Sequence, residues 1–286
     1  MVAKSLDVLA LIKNQYDSFS KGHKKIADFI LKNFDTSAFM TASKLGKAAK
    51  VSESTVVRFS YALGYDGYPS LQRDLQEMVK KQLTIIQRSK LNFYNTSESK
   101  VLENVLKNDM ENIKQTLSQI DPAAFKKVVD SILSCKGKIY ILGLRTSTSL
   151  SEYLSYYLEL MFDNIMLIKY SYTDVFEQIV DIGRDDVIIG LSFPRYTSRT
   201  YEMLSFAKSK KAKVFAITDS YTSPISEISD ISLIAANNMA SIVDSLVAPL
   251  SLVNALIVAI SYKKKEEVKE KFEAIEEIWK KQGIFK

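Results

Sequence analysis

Residues 41–65, TASKLGKAAKVSESTVVRFSYALGY, decide the fold of the first part of the chain. The spacing predicts two short helices with a break near Lys50–Val51, and Ser52 is a good N-cap for the second. We predict that this second helix runs from about Glu53 to Leu63, with a buried stripe formed by Val56, Phe59 and Leu63. About 20 residues that form helix, tight turn and helix, with serine, threonine and arginine on the second helix, outline a helix-turn-helix.

The second predicted helix carries side chains that suit contact with DNA. The first turns of such a helix enter the major groove, where hydroxyl and guanidinium groups meet phosphates and base edges. Arg58 is the candidate for reading a base, because a guanidinium pairs bidentately with guanine; a clamp on a phosphate is the alternative. The candidate DNA contacts are Ser52, Ser54, Thr55, Arg58, Lys44 and Lys50.

Positive charge is unevenly distributed along the chain. The 286 residues carry a formal net charge of +6, and residues 1–80 hold twelve lysines and arginines against eight acidic residues. Most of the excess positive charge therefore lies in less than a third of the chain, which indicates a polyanionic partner for that part. A single cysteine, Cys135, and an N-terminus without an apolar signal core predict a cytoplasmic protein.

Residues 69–120 are predicted to be helical and polar, with only narrow apolar seams. One seam is formed by Leu71, Leu75, Met78, Val79 and Leu83, and the other by Val101, Leu102, Val105, Leu106, Met110, Ile113 and Leu117. Because such helices commonly pair between subunits or link domains, we predict a linker and dimerisation segment over 81–120, with a hinge near Leu91–Thr96.

From Asp121–Pro122 onward, strands alternate with helices. The five apolar runs are KIYILGL at 138–144, NIMLIK at 164–169, DVIIGLS at 186–192, AKVFAIT at 212–218 and DISLIAA at 230–236. The intervening segments predict helices at 149–162, 174–181 and 198–209, a turn at 223–226, and a long helix after Val243. Apolar runs without alternation are typical of buried parallel strands. We therefore predict an α/β multidomain chain: an all-α helix-turn-helix domain at 1–80, then a doubly wound five-stranded parallel α/β sandwich at 121–286.

Two strand ends carry hydroxyl and guanidinium groups. The candidate ligand contacts are Arg145, Ser147 and Thr148 after the first strand, and Ser192, Arg195 and Thr197 after the third. Hydroxyls, backbone amides and a helix N-terminus together form an anion site, at the edge where doubly wound sheets bind ligands. Alternatively, the hydroxyls only cap helices and the arginines pair with Asp185, Asp186 or Glu202. Neither loop matches a phosphate-binding GxxxxGK[ST] or glycine-rich dinucleotide pattern, so we expect no nucleotide or nicotinamide cofactor.

Over nearly its full length the chain resembles RpiR/MurR-type transcriptional regulators. TASKLGKAAKVSESTVVRFSYALGYDGYPSLQRDL at 41–75 resembles that family's helix-turn-helix signature, with S-x-S-T-V-V-R-F and L-G-Y-x-G-Y together at this spacing. The remainder resembles an SIS (sugar isomerase) domain, and AKVFAITDSYTSPISEISDISL at 212–233 resembles one of its later segments. The resemblance implies a DNA-binding regulator whose SIS-like domain senses a sugar phosphate or a related anionic sugar derivative.

The two ligand loops depart from the SIS patterns G-x-G-x-S and S-x-S-G-x-T. The residues that fit are Gly143, Ser147, Ser192 and Thr197. Arg145 and Arg195 stand where glycines are expected, and Pro194 replaces a serine. If both arginines face the cleft, we expect an effector more acidic than a neutral-sugar monophosphate, such as a phosphorylated sugar acid.

A sugar-phosphate isomerase with an accessory helical domain is the alternative function. Aldose–ketose chemistry needs a proton shuttle and usually a ring-opening base, but the single histidine is His23 and neither loop contains an acidic residue. Glu152, Glu177 and Glu202 lie nearby in sequence, on helices where a solvated surface role is expected. We therefore predict no enzymatic activity, no catalytic residue, no cofactor and no metal site, and we expect His23 to be a surface or cap residue of the second helix.

We expect a homodimer, or a higher homo-oligomer, on an inverted repeat in double-stranded DNA, because two-fold assemblies are the commonest and match operator symmetry. The apolar seams and the helix at 244–262 are the candidate contact surfaces. Residues 245–262 are uncharged over about one membrane span, but Pro249 and Asn254 favour a buried core helix, so no membrane partner is expected.

Overall fold

The computed structural model describes residues 8–82, 98–170, 174–239 and 243–285. The chain divides into two compact units, Met1–Glu98 and Ser99–Lys286. The predicted hinge at Leu91–Thr96 and the seam residue Leu83 lie outside the described residues. The domain boundaries at 80 and 120 stay predictions, although the helix that precedes residue 120 packs within the second unit.

The first unit is helical throughout its described part. Its helices are α1 (Val8–Gln15), α2 (Lys21–Lys32), α3 (Phe34–Ser37), α4 (Ala42–Ala49), α5 (Glu53–Ala62) and α6 (Tyr68–Gln82). They share one apolar core, in which Ile26, Ile30, Leu45, Phe59 and Leu71 are fully buried. Helix α6 also holds the loop before α4, because Tyr68 and Gln72 both donate hydrogen bonds to the Met40 carbonyl oxygen, at 2.6 and 2.8 Å.

Helices α4 and α5 and the tight turn between them form the predicted helix-turn-helix. Helix α4 ends at Ala49, and Lys50 caps it in a left-handed conformation with φ of +55°. The Val51 amide then donates to the Gly46 carbonyl oxygen at 2.8 Å. A Cβ on Gly46 would lie 3.0 Å from the Val51 carbonyl oxygen, so the close approach of turn and helix favours glycine there. Helix α5 begins after Ser52 as predicted and ends one residue before the predicted Leu63.

The second unit is an α/β sandwich around a parallel sheet. Its strands are β1 (Ile139–Gly143), β2 (Ile165–Ile168), β3 (Val187–Leu191), β4 (Lys213–Thr218) and β5 (Ile231–Ile234). Its helices are α7 (Val101–Gln119), α8 (Pro122–Leu133), α9 (Thr148–Glu159), α10 (Ser198–Ser209), α11 (Pro224–Ile228), α12 (Val247–Lys263) and α13 (Lys265–Gln282). The strand order is β2-β1-β3-β4-β5, and every described pairing is parallel. The predicted doubly wound sandwich is confirmed.

The sheet buries both of its faces, which explains why its strands lack alternation. Ile139 and Ile141 of β1 pack in one core layer with α8, α9 and α12. Tyr140 and Leu142, which point to the opposite face, pack in a second layer with α10 and α11. Helix α12 is a core helix, since residues such as Val253 and Leu256 are fully buried.

Three predicted boundaries differ from the structure. Residues 174–181 form only a short 3₁₀ turn at Glu177–Ile179, because one turn is enough to bury Val175, Ile179 and Ile182 against the sheet. The expected turn at 223–226 is the short helix α11, since the Ser223 hydroxyl accepts a hydrogen bond from the Ser226 amide and Pro224 is at the first helical position. The sequence predicts one long helix after Val243, whereas the structure has two, α12 and α13, with a bend of 94° between them.

Within the described residues, no single helix is long and apolar enough to cross a membrane. The pair α12 and α13 reaches that length and composition only when both helices are counted together across their bend.

Candidate DNA-reading helix and effector cleft

Hydroxyl groups organise the start of α5. The Ser52 hydroxyl accepts a hydrogen bond from the Thr55 amide at 3.3 Å, so it caps the helix. The same Ser52 oxygen lies 2.9 Å from the Ser54 hydroxyl oxygen and 2.7 Å from that of Thr55. Three of the predicted DNA contacts therefore form one hydroxyl cluster at the positive end of the helix dipole.

Arg58 extends the same face of α5 by one turn. Its Nε donates to the Ser54 carbonyl oxygen at 3.3 Å, and its Nη2 lies 3.4 Å from the Ser54 hydroxyl oxygen. The guanidinium thus lies along its own helix, exposed to solvent. Lys44 in α4 and Lys50 at its end are also exposed, and the backbone of the turn fixes their separation from α5. The structure places all six predicted contacts on α4, the turn or α5.

His23 was predicted as a surface or cap residue, and its packing was missed. It lies in the first turn of α2, where its amide donates to the capping Ser20 hydroxyl at 3.3 Å. Its ring centroid is 5.6 Å from that of Phe59 and 6.1 Å from that of Phe19, both in edge-to-face geometry. Burial, and secondarily the positive charge of Arg58, lower the pKa of His23. The position after Ser20 signals a cap, but no sequence pattern signals contact with α5.

The effector cleft is expected where the strand order reverses, and the two candidate loops meet there. Strands β1 and β3 are hydrogen-bonded neighbours, with Gly143 opposite Leu191 in the register. The connections from β1 and β3 leave the same edge of the sheet, and doubly wound sheets bind ligands at such a switch point. The sequence predicts that the loops after β1 and β3 lie at the same edge of the sheet, and the parallel pairing of these two strands places them there.

The loop after β1 turns tightly around Gly143. The Gly143 carbonyl oxygen accepts hydrogen bonds from the hydroxyls of Thr148, at 3.1 Å, and Ser151, at 3.4 Å. A Cβ on Gly143 would lie 2.5 Å from the Ser147 carbonyl oxygen, so a side chain does not fit at this position. The turn brings Ser147 and the N-terminus of α9 to the sheet edge.

The hydroxyls of the two loops fall into two classes. Thr148 bonds to Gly143, and Thr197 caps α10 by accepting from the Thr200 amide at 3.3 Å. These two side chains therefore have the capping role that was considered as an alternative. Ser147 and Ser192 are each only 4% exposed, and their hydroxyls have no hydrogen bond to other described residues. Both serines are thus available to a ligand.

Arg145 and Arg195 occupy left-handed backbone. Their φ values are +59° and +66°, the region that favours glycine, and the SIS patterns have glycine at both positions. Both side chains are exposed, and neither makes an ion pair within the described residues. Two of the three alternative partners are engaged elsewhere: Asp186 accepts from the Lys138 and Gly183 amides, and Glu202 lies 3.7 Å from Arg199. Asp185, the third, forms no ion pair with either arginine.

A phenol–carboxylate pair beside the cleft, the half-buried Tyr196 and the buried Asp219, was missed. The Tyr196 hydroxyl donates to Asp219 Oδ1 at 2.6 Å, which joins the loop after β3 to the loop after β4. Burial, and then the Asp219 carboxylate, raise the pKa of Tyr196, so the phenol stays a proton donor. Tyr196 lies between Arg195 and Thr197, and the bond therefore holds the candidate ligand loop in place. Within the described residues, no cluster of histidine, cysteine and acidic side chains is arranged to hold a metal ion.

Comparison with known proteins identifies both units. Residues 6–82 match the helix-turn-helix domain of the rpiR family, and residues 132–259 match the SIS domain. The chain belongs to the RpiR family of transcriptional regulators. This RpiR-family chain is 25% identical to an HTH-type transcriptional regulator of Caldanaerobacter subterraneus, over 92% of this chain and 93% of the relative. It is 23% identical to the regulator HexR of Pseudomonas aeruginosa, over 74% of this chain and 73% of HexR.

Solved structures of similar fold agree with this assignment. The sugar isomerase domain of the RpiR transcription factor from Sphaerobacter thermophilus superposes with a TM-score of 0.59 at 25% identity, over 62% of the RpiR-family chain and 99% of that domain. The NanR protein of Vibrio vulnificus, solved in complex with ManNAc-6P, covers 96% of this chain and 98% of its own, with a TM-score of 0.55 at 20% identity. The latter similarity concerns the fold alone.

Proposed function

We propose that this RpiR-family regulator reads DNA through α5 and senses a phosphorylated sugar, or another anionic sugar derivative, at the β1–β3 edge. The observation that carries the proposal is the pair of loops after β1 and β3. Each has a buried serine with a free hydroxyl, an arginine in left-handed backbone and a helix N-terminus directly after it. Backbone amides at helix N-termini, hydroxyls and guanidiniums are the groups that bind phosphate.

The two guanidiniums favour an effector with more than one anionic group. Neither Arg145 nor Arg195 is neutralised by an acid within the described residues, and planar guanidinium groups suit both phosphate and carboxylate. We propose a phosphorylated sugar acid as the preferred chemical class. The complex of NanR with ManNAc-6P supports a sugar phosphate in a protein of this fold.

We further propose that the regulator is a dimer or higher oligomer on an inverted-repeat operator. Exposed apolar side chains are concentrated on the outward faces of α7 and α12: Leu102, Leu106, Met110, Leu117, Val258 and Tyr262. Leu117 also lines a groove of about 310 Å³ between α7, α8 and α12, with Phe125 and Leu252. An apolar surface of this kind is typical of a protein–protein contact. Two-fold symmetry would present two copies of α5 to matching half-sites.

Enzymatic turnover is the second candidate function, and we propose that it is absent. Residues 24–286 contain no histidine, and the acidic residue nearest in sequence to the β3 loop, Glu202, faces Arg199. A coupled assay with hexose and pentose phosphates distinguishes the two functions. Turnover above the uncatalysed rate would favour the isomerase, and its absence together with ligand binding supports the regulator.

The proposed function is tested in two independent parts. Selection of bound sequences from random double-stranded DNA by the full chain should give an inverted repeat. Thermal-shift measurements against a panel of sugar phosphates and phosphorylated sugar acids should give a concentration-dependent rise in melting temperature for at least one compound. If the chain binds DNA but none of the compounds, the proposed DNA-binding role stands and the proposed sensor role is refuted. If it binds a compound but no DNA, the sensor role stands and the DNA-binding role is refuted.

A further inference from the structure

We propose that the carboxamide of Asn237 is an effector-contacting group and that its segment, Ala235–Asn238, connects the effector edge to α7. The inference rests on the proposed sensor function and adds to it a residue outside the two ligand loops. Asn237 follows β5 at the same edge of the sheet, is only 3% exposed, and its Nδ2 has no hydrogen-bond partner within the described residues.

The segment after β5 is hydrogen-bonded to the end of β4, next to the loop that carries Asp219. The Ala235 amide donates to the Thr218 carbonyl oxygen at 2.8 Å, which extends the pairing of β4 and β5 beyond Ile234. Asp219, the next residue after Thr218, accepts the hydrogen bond of Tyr196. Two hydrogen bonds, joined through the Thr218–Asp219 backbone, therefore connect the Arg195–Thr197 loop to the chain that carries Asn237.

Helix α7 clamps the residues on both sides of Asn237. The Thr116 hydroxyl accepts from the Ala236 amide at 2.9 Å. The fully buried Asn112 accepts from the Asn238 amide at 3.0 Å and donates to the Asn238 carbonyl oxygen at 2.9 Å, as a neighbouring strand would. Asn108 donates to the same carbonyl oxygen at 2.7 Å. The backbone on both sides of Asn237 is thus held by α7.

An unpartnered buried donor is unfavourable in the free protein, because it has lost its hydrogen bonds to water. The α7 side chains that hold this segment, Asn108, Asn112 and Thr116, all have hydrogen-bond partners, unlike Nδ2 of Asn237. A ligand oxygen at the sheet edge would supply the missing acceptor. Since Asn237 and the clamp are adjacent, binding there would act on α7, the first helix after residues 83–97.

The test compares Asn237→Leu with Asn112→Leu in the full chain. Without ligand, Asn237→Leu should raise the melting temperature of the second unit by about 2–4 °C, because a nearly isosteric apolar side chain replaces an unsatisfied amide. Asn112→Leu is the matched control and should lower it, because the two hydrogen bonds between the Asn112 carboxamide and the Asn238 backbone are lost. Lower stability of Asn237→Leu would overturn the proposal, since the carboxamide would then support the fold.

Ligand affinity gives the second arm. Arabinose 5-phosphate, ManNAc-6P and 6-phosphogluconate serve as probes in calorimetric titrations. For the probe that wild type binds most tightly, Asn237→Leu should weaken affinity about tenfold or more. Equal affinity of wild type and Asn237→Leu overturns this inference and leaves the proposed function intact. Failure of wild type to bind any probe counts against the sensor function itself, and this inference falls with it.

Discussion

Arg145 and Arg195 leave two hydrogen-bonded strands with the same left-handed backbone, at φ of +59° and +66°. Non-glycine residues are uncommon in this region and persist where the surrounding structure holds them. Both arginines stand where the SIS patterns have glycine, the residue that adopts this backbone at least cost. Relative to those patterns, the loops gain two exposed positive charges.

Removal of either guanidinium should weaken effector binding. A charge-assisted hydrogen bond contributes about 1.5–3 kcal/mol, so Arg145→Ala and Arg195→Ala should each reduce affinity roughly ten- to a hundredfold. Isothermal titration of the compound that stabilises wild type measures this. DNA affinity without ligand should change little. Unchanged ligand affinity in both variants would show that the guanidiniums do not contact the effector.

Glycine at the same positions should separate backbone strain from charge. We expect Arg195→Gly to be more stable than Arg195→Ala by about 1 kcal/mol, because left-handed backbone is costly for a residue with a Cβ. Both variants lose the guanidinium, so they should lose effector affinity equally. Chemical denaturation followed by circular dichroism measures the difference, and a less stable glycine variant would contradict the strain argument.

Substitution of Arg58 should distinguish base reading from a phosphate contact. If Arg58 reads a base, Arg58→Ala should cost about 1–3 kcal/mol and relax specificity at one operator position. Arg58→Lys is the matched variant: it keeps the charge but loses bidentate pairing, so it should behave like alanine at a base and like wild type at a phosphate. Binding to single-base operator variants gives the answer. Wild-type affinity in Arg58→Ala would exclude both roles.

The stability of the first unit should fall as the medium is acidified below neutral. The pKa of His23 is lowered in the folded chain from its ordinary value of 6.5, so the unfolded chain binds more protons as pH falls through that value. The stabilising contribution is therefore complete above pH 6.5 and is lost progressively below it. His23→Gln should flatten this part of a plot of unfolding free energy against pH. An unchanged slope in the variant would show that a group other than His23 causes the pH dependence of the unfolding free energy.

Charged substitutions on the outward faces of α7 and α12 should dissociate the proposed dimer. Wild type should sediment as a dimer, or larger, at micromolar concentration, and Leu117→Lys combined with Val258→Lys should shift it towards the monomer. Val180, which is similarly exposed at 62%, provides the control substitution Val180→Lys on another surface. A monomeric wild type, with and without DNA, would disprove the proposed assembly.

Local sequence signals predict much of both units. The cap at Ser52 and the spacing of Val56 and Phe59 define α5, because both features depend on residues a few positions apart. The five strands could be recognised because each is buried on both faces and so lacks alternation. Ser147 and Ser192 lie at the same edge of the sheet because β1 and β3 pair in parallel and each serine follows the end of its strand.

Contacts between residues far apart in sequence could not be predicted. His23 meets Phe59, Tyr196 meets Asp219 and Asn112 meets Asn238 only because the fold brings their elements together. The left-handed backbone of Arg145 and Arg195 could not be predicted from the residue type either. Arginine has no preference for this region, which favours glycine.

The clamp between α7 and the segment after β5 also has a thermodynamic consequence. If displacement of α7 alters that segment, the free energies of effector binding and DNA binding are linked. Linkage is reciprocal, so operator DNA must change effector affinity by the same factor by which the effector changes operator affinity.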